Sequence, residues 1–158
     1  MNNSSSLEKT ALIVDDAPAN LDFMERLIGI AGYKVKGAGS AKAALTAVSG
    51  LPSLHLAMLD MELPDMNGIQ LTGELRARFP ECLIIVATMH DERSLMESVF
   101  QRGGNIFIVK PHGFMELLKQ LKSGELNNVK PGDYLVIDQY GPRPFVLTTA
   151  TAEARAVN

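Results

Sequence analysis

The chain has 158 residues, of which 46% are hydrophobic and 21% are charged, and its formal net charge at pH 7 is −3. This length and composition are typical of one globular domain with a small appendage, and they exclude wholesale disorder and a fibrous repeat. The 15 basic residues form no run. Direct nucleic-acid binding is therefore disfavoured, because neutralising phosphates requires a clustered positive surface.

The first ten residues, MNNSSSLEKT, lack the basic start and the apolar stretch of a signal peptide. No later window approaches the length of a membrane span. We therefore expect a cytoplasmic protein without membrane insertion. Cys82 is the single cysteine, which excludes an intramolecular disulfide. Because no neighbouring base would activate it, we interpret it as a buried structural thiol.

Short apolar runs alternate with segments of helical spacing along the first 123 residues. Runs at 11–14, 54–59, 83–87 and 106–109 predict strands buried on both faces, and a weaker strand is predicted at 33–36. Helices are predicted from about Pro18, over 41–48 with Ser40 as N-cap, near 71–75 and 95–100, and over 112–122. Five such repeats predict a doubly wound α/β fold with a five-stranded parallel sheet and helices on both faces.

Charged and hydroxyl side chains follow the predicted strands where ligands bind in such sheets, beyond the carboxyl ends. These side chains are Asp15, Asp16, Asp60, Thr88 and Lys110. Three carboxylates at one edge repel one another, and a partly desolvated cleft either raises their pKa values or requires a cation. A hard divalent ion with oxygen ligands fits best. The sequence therefore predicts an Mg²⁺ site at which the metal ion can also bind phosphate oxygens.

Phosphoryl transfer requires a nucleophile in line with the phosphorus, a metal ion and fixed donors for the product charge. Asp60 is assigned as the nucleophile that forms an acyl phosphate, because it emerges alone from the central strand. Asp15 and Asp16 share one turn suited to holding metal. Thr88 is expected to donate its hydroxyl to one phosphate oxygen, and Lys110 to pair with another.

Four segments that carry these residues, ALIVDDAPAN, LAMLDMELPDMNG, IIVATM and IFIVKP, together resemble the receiver domains of bacterial two-component response regulators. The resemblance covers about residues 8–123, and the neighbouring Pro64, Gly68 and Pro111 also agree with it. It implies a flavodoxin-like (CheY-like) three-layer sandwich that acts as a stand-alone or nearly stand-alone receiver.

The resemblance also implies a function and a set of roles. Asp60 would be phosphorylated by a sensor histidine kinase or a phosphotransfer protein, and the output would be phosphorylation-dependent contact with a downstream protein. Mg²⁺ would be held by Asp16, by Asp60, by the backbone carbonyl of Glu62 and, through water, by Asp15. Catalysis would be limited to the chain's own phosphorylation and dephosphorylation. The Lys110–Pro111 peptide bond would be cis.

Further positions are assigned from the same resemblance. Phe107 matches an aromatic residue that responds, with Thr88, to phosphorylation, although an aromatic in a buried strand is also ordinary core. Glu62 and His90 flank the site at positions that tune hydrolysis, and His90 is expected to face solvent. Met89 stands where the family usually has a small residue, and its bulk would narrow access to Asp60.

Two other functions stay open at the level of sequence. One is a receiver-like interaction module that is not phosphorylated. The other is a phosphatase similar to the haloacid dehalogenases, in which a strand-end aspartate nucleophile is followed two residues later by an acid/base aspartate. Here that second position holds Glu62, and the twin acids after the first strand have no counterpart in that family.

Residues 124–158 form an extension beyond the predicted receiver. Turn residues at Pro131–Asp133 and Gly141–Pro142 enclose a predicted strand at 134–137, and 145–149 continues as a second extended segment. The extension is predicted to form a β-hairpin or an interaction arm, with a frayed end from residue 149 onward. Its apolar residues require a partner surface, and a neighbouring chain, as in a homodimer, is favoured over the chain's own domain.

Overall fold

The computed structural model describes residues 8–130 and 132–147, apart from the side chains of residues 127 and 128. The strands are β1 (Lys9–Val14), β2 (Tyr33–Ala38), β3 (Leu56–Asp60), β4 (Leu83–Thr88), β5 (Ile106–Val109), β6 (Leu135–Asp138) and β7 (Gly141–Pro144). The helices are α1 (Pro18–Ile30), α2 (Ala41–Val48), α3 (Gly68–Arg78), α4 (Arg93–Gln101) and α5 (Gly113–Ser123), and a 3-10 helix (Glu125–Asn128) follows α5. In the described ranges, none of these helices has both the length and the apolar character that crossing a membrane requires.

The strands form a single sheet in the order β2-β1-β3-β4-β5-β6-β7. Strands β1 to β6 are parallel, and β7 is antiparallel to β6. The carboxyl ends of the first six strands therefore meet along one edge of the sheet. The doubly wound α/β fold predicted from the alternating pattern is confirmed, with a larger sheet than expected.

Two apolar layers cover the two faces of the sheet, because successive side chains of a strand point to opposite faces. One layer packs alternate strand residues against α2, α3 and α4, including Leu75 and Phe100. The other layer packs the remaining strand residues against α1 and α5, including Ile28 and Leu117. The central strands read as continuous apolar runs because both of their faces are buried.

The extension after α5 corrects the predicted five-stranded sheet to seven strands. Strand β6 pairs with β5 in parallel, with Val136 beside Phe107, and β7 returns alongside β6. Val136, Ile137 and Phe145 are buried in this chain's own core. The expectation that a neighbouring chain would cover them was therefore wrong. The open edge of β5 offers unpaired backbone groups, and the chain's own extension satisfies them.

A β-hairpin, one of the two alternatives predicted for the extension, is present, but the predicted position of its second strand was wrong, because Gly141–Pro142, predicted as a turn, belong to the strand and 145–147 lie beyond it. The strand is Gly141–Pro144, and Phe145 beyond it packs into the core. Residue 131, which belongs to the predicted first turn, and residues 148–158, which include the predicted frayed end, lie outside the described residues.

The amino end of α2 is capped by two side chains. The predicted N-cap residue, Ser40, accepts a hydrogen bond from the Ala43 N–H through its hydroxyl oxygen. Asp65, in the loop between β3 and α3, accepts from the N–H groups of Ala41 and Lys42, each over 2.9 Å. These two N–H donations lower the pKa of Asp65. The loop that follows Asp60 is thereby tied to α2.

We predict that Asp65→Ala destabilises the fold at neutral pH, because it removes the acceptor of two helix N–H groups. A carboxyl group whose pKa is lowered by folding contributes stability above its unfolded pKa and loses it as pH falls through the folded pKa. The deficit of the variant in thermal melts should therefore shrink in acid, below about pH 4. Asp22→Ala, which removes an exposed ion pair with Arg26 on α1, is the matched control and should change little. A deficit that is the same at every pH would contradict the assignment.

Candidate functional site

Five side chains predicted from the sequence follow the strands at the carboxyl edge of the sheet. Asp15 and Asp16 come directly after β1, and Asp60 is the last residue of β3. Thr88 is the last residue of β4, and Lys110 comes directly after β5. The order β1-β3-β4-β5 in the sheet places these strand ends side by side.

The three aspartates converge on one point. One carboxylate oxygen from each of Asp15, Asp16 and Asp60 lies within 4.8 Å of the others. The ammonium Nζ of Lys110 lies 3.4 Å from Asp60 Oδ1 and 3.9 Å from Asp15 Oδ2. One lysine therefore faces three carboxylates, so the cluster retains an excess of negative charge. Closely spaced carboxylate oxygens are the donor set that hard divalent cations prefer. The cluster fits a metal ion.

Asp60 is held in a partly desolvated position with 13% of its side chain exposed. This desolvation is the largest influence on its pKa and raises it above the ordinary value. The ammonium of Lys110 and the Glu62 N–H oppose the increase, while the charge of Asp15 adds to it. In the absence of a metal ion, folding therefore disfavours the ionised form of Asp60.

The loop after β3 folds back tightly against the strand end. The Glu62 N–H donates to Asp60 Oδ1 over 3.3 Å, and the Gly68 N–H donates to the Met61 carbonyl over 2.7 Å. A Cβ atom at Gly68 would lie 2.8 Å from the Asp60 carbonyl oxygen and 2.9 Å from Met61 Cα. Any larger residue would clash with the backbone there. Gly68 therefore lets α3 begin directly beside Asp60.

Thr88 and His90 line the next strand end. The Thr88 side chain is buried, and its Oγ1 accepts a hydrogen bond from the His90 N–H over 3.2 Å. The imidazole Nε2 of His90 lies 3.1 Å from Glu62 Oε1, and Nδ1 lies 3.8 Å from Glu92 Oε1. His90 is exposed, as expected, and links the loops that follow β3 and β4. The sequence analysis placed Glu62 and His90 beside the site but did not anticipate this contact, because 28 residues separate them.

An apolar pocket of about 300 Å³ adjoins Lys110. Its wall includes Met89, Phe23 of α1 and Phe114 of α5. Met89 is 75% exposed and Phe23 is 51% exposed. Phe23 and Phe114 were not identified from the sequence as residues near the site. Both lie in segments predicted as helices, and a helical pattern alone does not distinguish core positions from the rim.

Phe107 lies in the interior of the sheet, away from the rim. It is fully buried, and its register neighbours are Val86 on β4 and Val136 on β6. Without the extension, β5 would be the edge strand and Phe107 would lie at the edge of the sheet; β6 covers it. The peptide bond between Lys110 and Pro111 is cis, as the resemblance implied.

Comparisons with known proteins agree with this geometry. A family model described as "Response regulator receiver domain" matches residues 11–122. The chemotaxis protein CheY of Thermotoga maritima is 33% identical over 105 residues, which cover 65% of this chain and 86% of CheY. A crystal structure of a CheY-like response regulator receiver domain protein from Methanospirillum hungatei superposes with a TM-score of 0.67 and 29% identity. That match covers 74% of this chain and 93% of the other.

Other relatives are longer than the matched region. A cyclic di-GMP phosphodiesterase of Thermotoga maritima is 29% identical over 119 residues, which cover 75% of this chain and 31% of the relative. The chain thus spans about a third of that relative. The match concerns the receiver-like region, and the activity named for that protein is not carried over.

We predict that Asp60→Asn raises the melting temperature at pH 7 by a few degrees when no divalent ion is present. A carboxyl group whose pKa is raised by folding contributes stability below its unfolded pKa and loses it as pH rises through the folded pKa. The advantage of the variant should therefore disappear below about pH 4, where the carboxyl group is neutral in both states.

Added Mg²⁺ should raise the melting temperature of the wild type by mass action and should do so far less for Asp60→Asn. Calorimetry with and without EDTA measures both effects, and Asp22→Asn on the exposed face of α1 is the control. An equal Mg²⁺ response in wild type and Asp60→Asn would show that the carboxylate of Asp60 is not a metal ligand.

Proposed function

Since the chain belongs to the response regulator receiver domain family, we propose that Asp60 is its phosphoacceptor and that its phosphorylation carries a two-component signal. The observation that supports this most directly is the convergence of three carboxylates within 4.8 Å beside the Lys110 ammonium. Residues 8–123 carry this chemistry, and we propose that residues 124–158 form an extension that modifies it.

Asp60 is the nucleophile because it is the last residue of β3 and its carboxylate lies 3.4 Å from the Lys110 ammonium. One of its carboxylate oxygens attacks the phosphorus of a phosphohistidine, the P–N bond breaks, and the released imidazole takes up a proton. The product is an acyl phosphate on Asp60. The desolvation that raises the pKa of Asp60 also strengthens every electrostatic interaction with the transferred group.

Mg²⁺ is the proposed cation, held by Asp15, Asp16, Asp60 and the backbone carbonyl of Glu62, and when bound it would neutralise charge on the phosphoryl oxygens. Lys110 pairs with a phosphoryl oxygen as a point charge, in place of its present contact with Asp60. Thr88 donates its hydroxyl hydrogen to another phosphoryl oxygen, so its side chain moves on phosphorylation. Phe107, which is buried on the neighbouring strand β5, is proposed to move in response.

Glu62, Met89 and His90 are proposed to set the lifetime of the acyl phosphate. The contact between Glu62 and His90 spans two loops that flank Asp60, so it limits the directions from which water can approach. Met89 lies in the wall of the pocket beside Lys110, where its side chain limits the space on that side. Both features concern access to Asp60 rather than the transfer step itself.

The phosphodonor is proposed to be a sensor histidine kinase or a phosphotransfer protein, in a shared cytoplasmic compartment. A donor histidine must reach Asp60, so the donor domain must rest on the rim of strand ends. Phe23 and Met89 are exposed apolar side chains on that rim, and they support docking of an apolar protein surface there. The downstream partner is proposed to be a protein, recognised according to the state of Asp60.

We predict that a phosphorylated donor or acetyl phosphate adds one phosphoryl group to the wild type in the presence of Mg²⁺ and none in the presence of EDTA. Asp60→Asn should abolish labelling, whereas Asp65→Asn, five residues away on the same loop, should retain it. Thr88→Ala and Lys110→Ala should still bind Mg²⁺, because neither side chain is a metal ligand in this scheme. Their contact with the downstream protein should no longer depend on phosphorylation.

Intact-mass measurement provides the readout. Equal labelling of Asp60→Asn would refute the assignment of the phosphoacceptor. No labelling of the wild type by any donor would instead favour an interaction module that is not phosphorylated. Release of phosphate from small phosphoesters would favour a phosphatase, because a receiver hydrolyses only its own acyl phosphate.

The rim residues give a separate prediction for rates. Phe23→Ala should slow transfer from a protein donor roughly tenfold, the effect of losing about 1.4 kcal/mol of docking free energy. It should leave labelling by acetyl phosphate unchanged, because that donor needs no docking surface. Met89→Ala should accelerate acetyl-phosphate labelling by widening access to Asp60. Ile30→Ala, at the far end of α1 and also exposed, is the control. Equal effects of Phe23→Ala on both donors would rule out a docking role.

A further inference from the structure

The segment that ends the described chain is attached to α4 by aromatic and cationic contacts. We call residues 141–147, which comprise β7 and the three residues after it, the strap. The Phe145 ring lies 4.8 Å from the Phe100 ring of α4, centroid to centroid. The Arg93 guanidinium lies 4.5 Å over the Phe145 ring, and its Nη2 donates to the Val146 carbonyl over 2.6 Å. Arg93 therefore holds both the ring and the backbone of the strap.

The rest of the strap is held on the side of the sheet, where β7 pairs with β6 and Arg143 forms an ion pair with Asp138. Strand β7 is the edge of the sheet, and Pro142 and Pro144 have no N–H to donate to a ladder. Residues 142–144 are exposed, and Val146 is 76% exposed. The Phe145 N–H donates to the Tyr134 carbonyl over 2.9 Å. Phe145 and Arg93 are thus the contacts that join the strap to α4.

Arg93 has a second acceptor one helical turn away. Its Nε lies 3.4 Å from Glu97 Oε1. That oxygen is buried and accepts no hydrogen bond within the described part of the chain. A buried carboxylate oxygen without a hydrogen bond is unfavourable, and Arg93 could satisfy it by turning away from Val146. In the structure the guanidinium makes both contacts at once, with Nε facing Glu97 Oε1 and Nη2 donating to the Val146 carbonyl, so a turn toward Glu97 would shorten the first contact and release the second.

A row of buried side chains connects the strap to the phosphoacceptor edge. Val86, two residues before Thr88, is the register neighbour of Phe107, which in turn neighbours Val136. Val136 is also the register neighbour of Arg143, whose side chain is exposed, so the buried row reaches the strap at Phe145. Phe107, Phe100 and Phe145 belong to the same buried cluster. Because protein interiors are close-packed, a displacement of Phe107 must be absorbed by its neighbours. The edge strand offers the least resistance, because β7 is paired on one side alone.

We propose that the strap is a regulatory element, attached to α4 when Asp60 is unmodified and loosened when Thr88 is drawn toward a phosphoryl group on Asp60. Loosening uncovers Phe100 and Tyr134, whose rings stack at 4.8 Å beneath Phe145, and lets Arg93 close its existing 3.4 Å ion pair with Glu97 into a hydrogen bond. The covered aromatic surface is then available to a downstream protein. This inference rests on the proposed role of Asp60.

Hydrogen exchange of backbone amides tests the proposal directly, with beryllium fluoride and Mg²⁺ as the probe for the phosphorylated state. Amides of the strap, including that of Phe145, should exchange at least about fivefold faster with the probe, the lower end of usual coupling between two sites. Fluorine NMR reports whether the probe occupies the site. Amides of β1, at the other side of the sheet, provide the internal control.

Arg93→Ala tests whether loosening the strap affects the site around Asp60. Arg93 is 57% exposed on its side chain, so the variant should fold, and a thermal melt verifies this. Strap amides should exchange faster in the unmodified variant. Because coupling is reciprocal, the variant should also bind beryllium fluoride more tightly by about the same factor. Arg26→Ala is the matched control, since Arg26 likewise pairs with a carboxylate one turn away in an exposed helix.

The outcomes separate the two proposals. If the probe occupies the site and the strap amides exchange at the same rate or more slowly, the regulatory role of the strap is wrong. The assignment of Asp60 as phosphoacceptor would still stand. The same holds if Arg93→Ala and Arg26→Ala affect beryllium fluoride binding equally. If neither the probe nor a phosphodonor modifies Asp60, the proposed function fails, and the strap fails with it.

Discussion

The crowding of negative charge at one edge of the sheet is the constraint on which the site depends. Three carboxylate oxygens lie within 4.8 Å of one another, and Lys110 is the cation seen to contact two of them. Parallel strands bring these residues together because all of their carboxyl ends meet at one edge. The fold thus holds Asp60 in an environment where its charge is costly, and a bound divalent cation would relieve part of that cost. Stability and the proposed chemistry are linked at this residue, since the desolvation that penalises the ionised carboxylate would also strengthen its interactions with a transferred phosphoryl group.

The backbone around Asp60 is fixed by contacts that are individually ordinary. Gly68 permits α3 to begin against the Asp60 carbonyl, and Asp65 in the same loop caps α2. Gly113 plays a comparable part at the neighbouring strand, because a Cβ there would lie 2.7 Å from the Ile137 carbonyl oxygen of β6. The loops that carry Asp60 and Lys110 are therefore positioned by the helices and by the added strand. A rigid support of this kind is what a reaction that relies on positioning requires.

The sequence predicted the parallel core and the composition of the site because both leave local patterns. Apolar runs ending in polar residues identify buried strands, and the topology then places Asp15, Asp16, Asp60, Thr88 and Lys110 together. The location of the extension left no such pattern. Tyr134 to Ile137 are apolar enough to require burial, but apolarity does not specify which surface covers them, and the open edge of β5 could be recognised only in the folded sheet. The Glu62–His90 and Arg93–Val146 contacts were missed for a similar reason, since the partners are 28 and 53 residues apart in sequence.

The position of β6 and β7 changes what the edge of this receiver can do. With β5 paired to β6, a second copy of the chain cannot add a strand to β5 without displacing the hairpin. The new edge, β7, contains Pro142 and Pro144, which lack N–H groups and so discourage further strand addition. Assembly through continuous sheet formation is disfavoured at both strands. On the proposed role of Asp60, contacts at this edge of the sheet would form through side chains, and the aromatic surface beneath Phe145 is linked to Phe107 through one buried cluster. The extension therefore completes the sheet and also disfavours contacts with other chains that would form by strand addition at this edge.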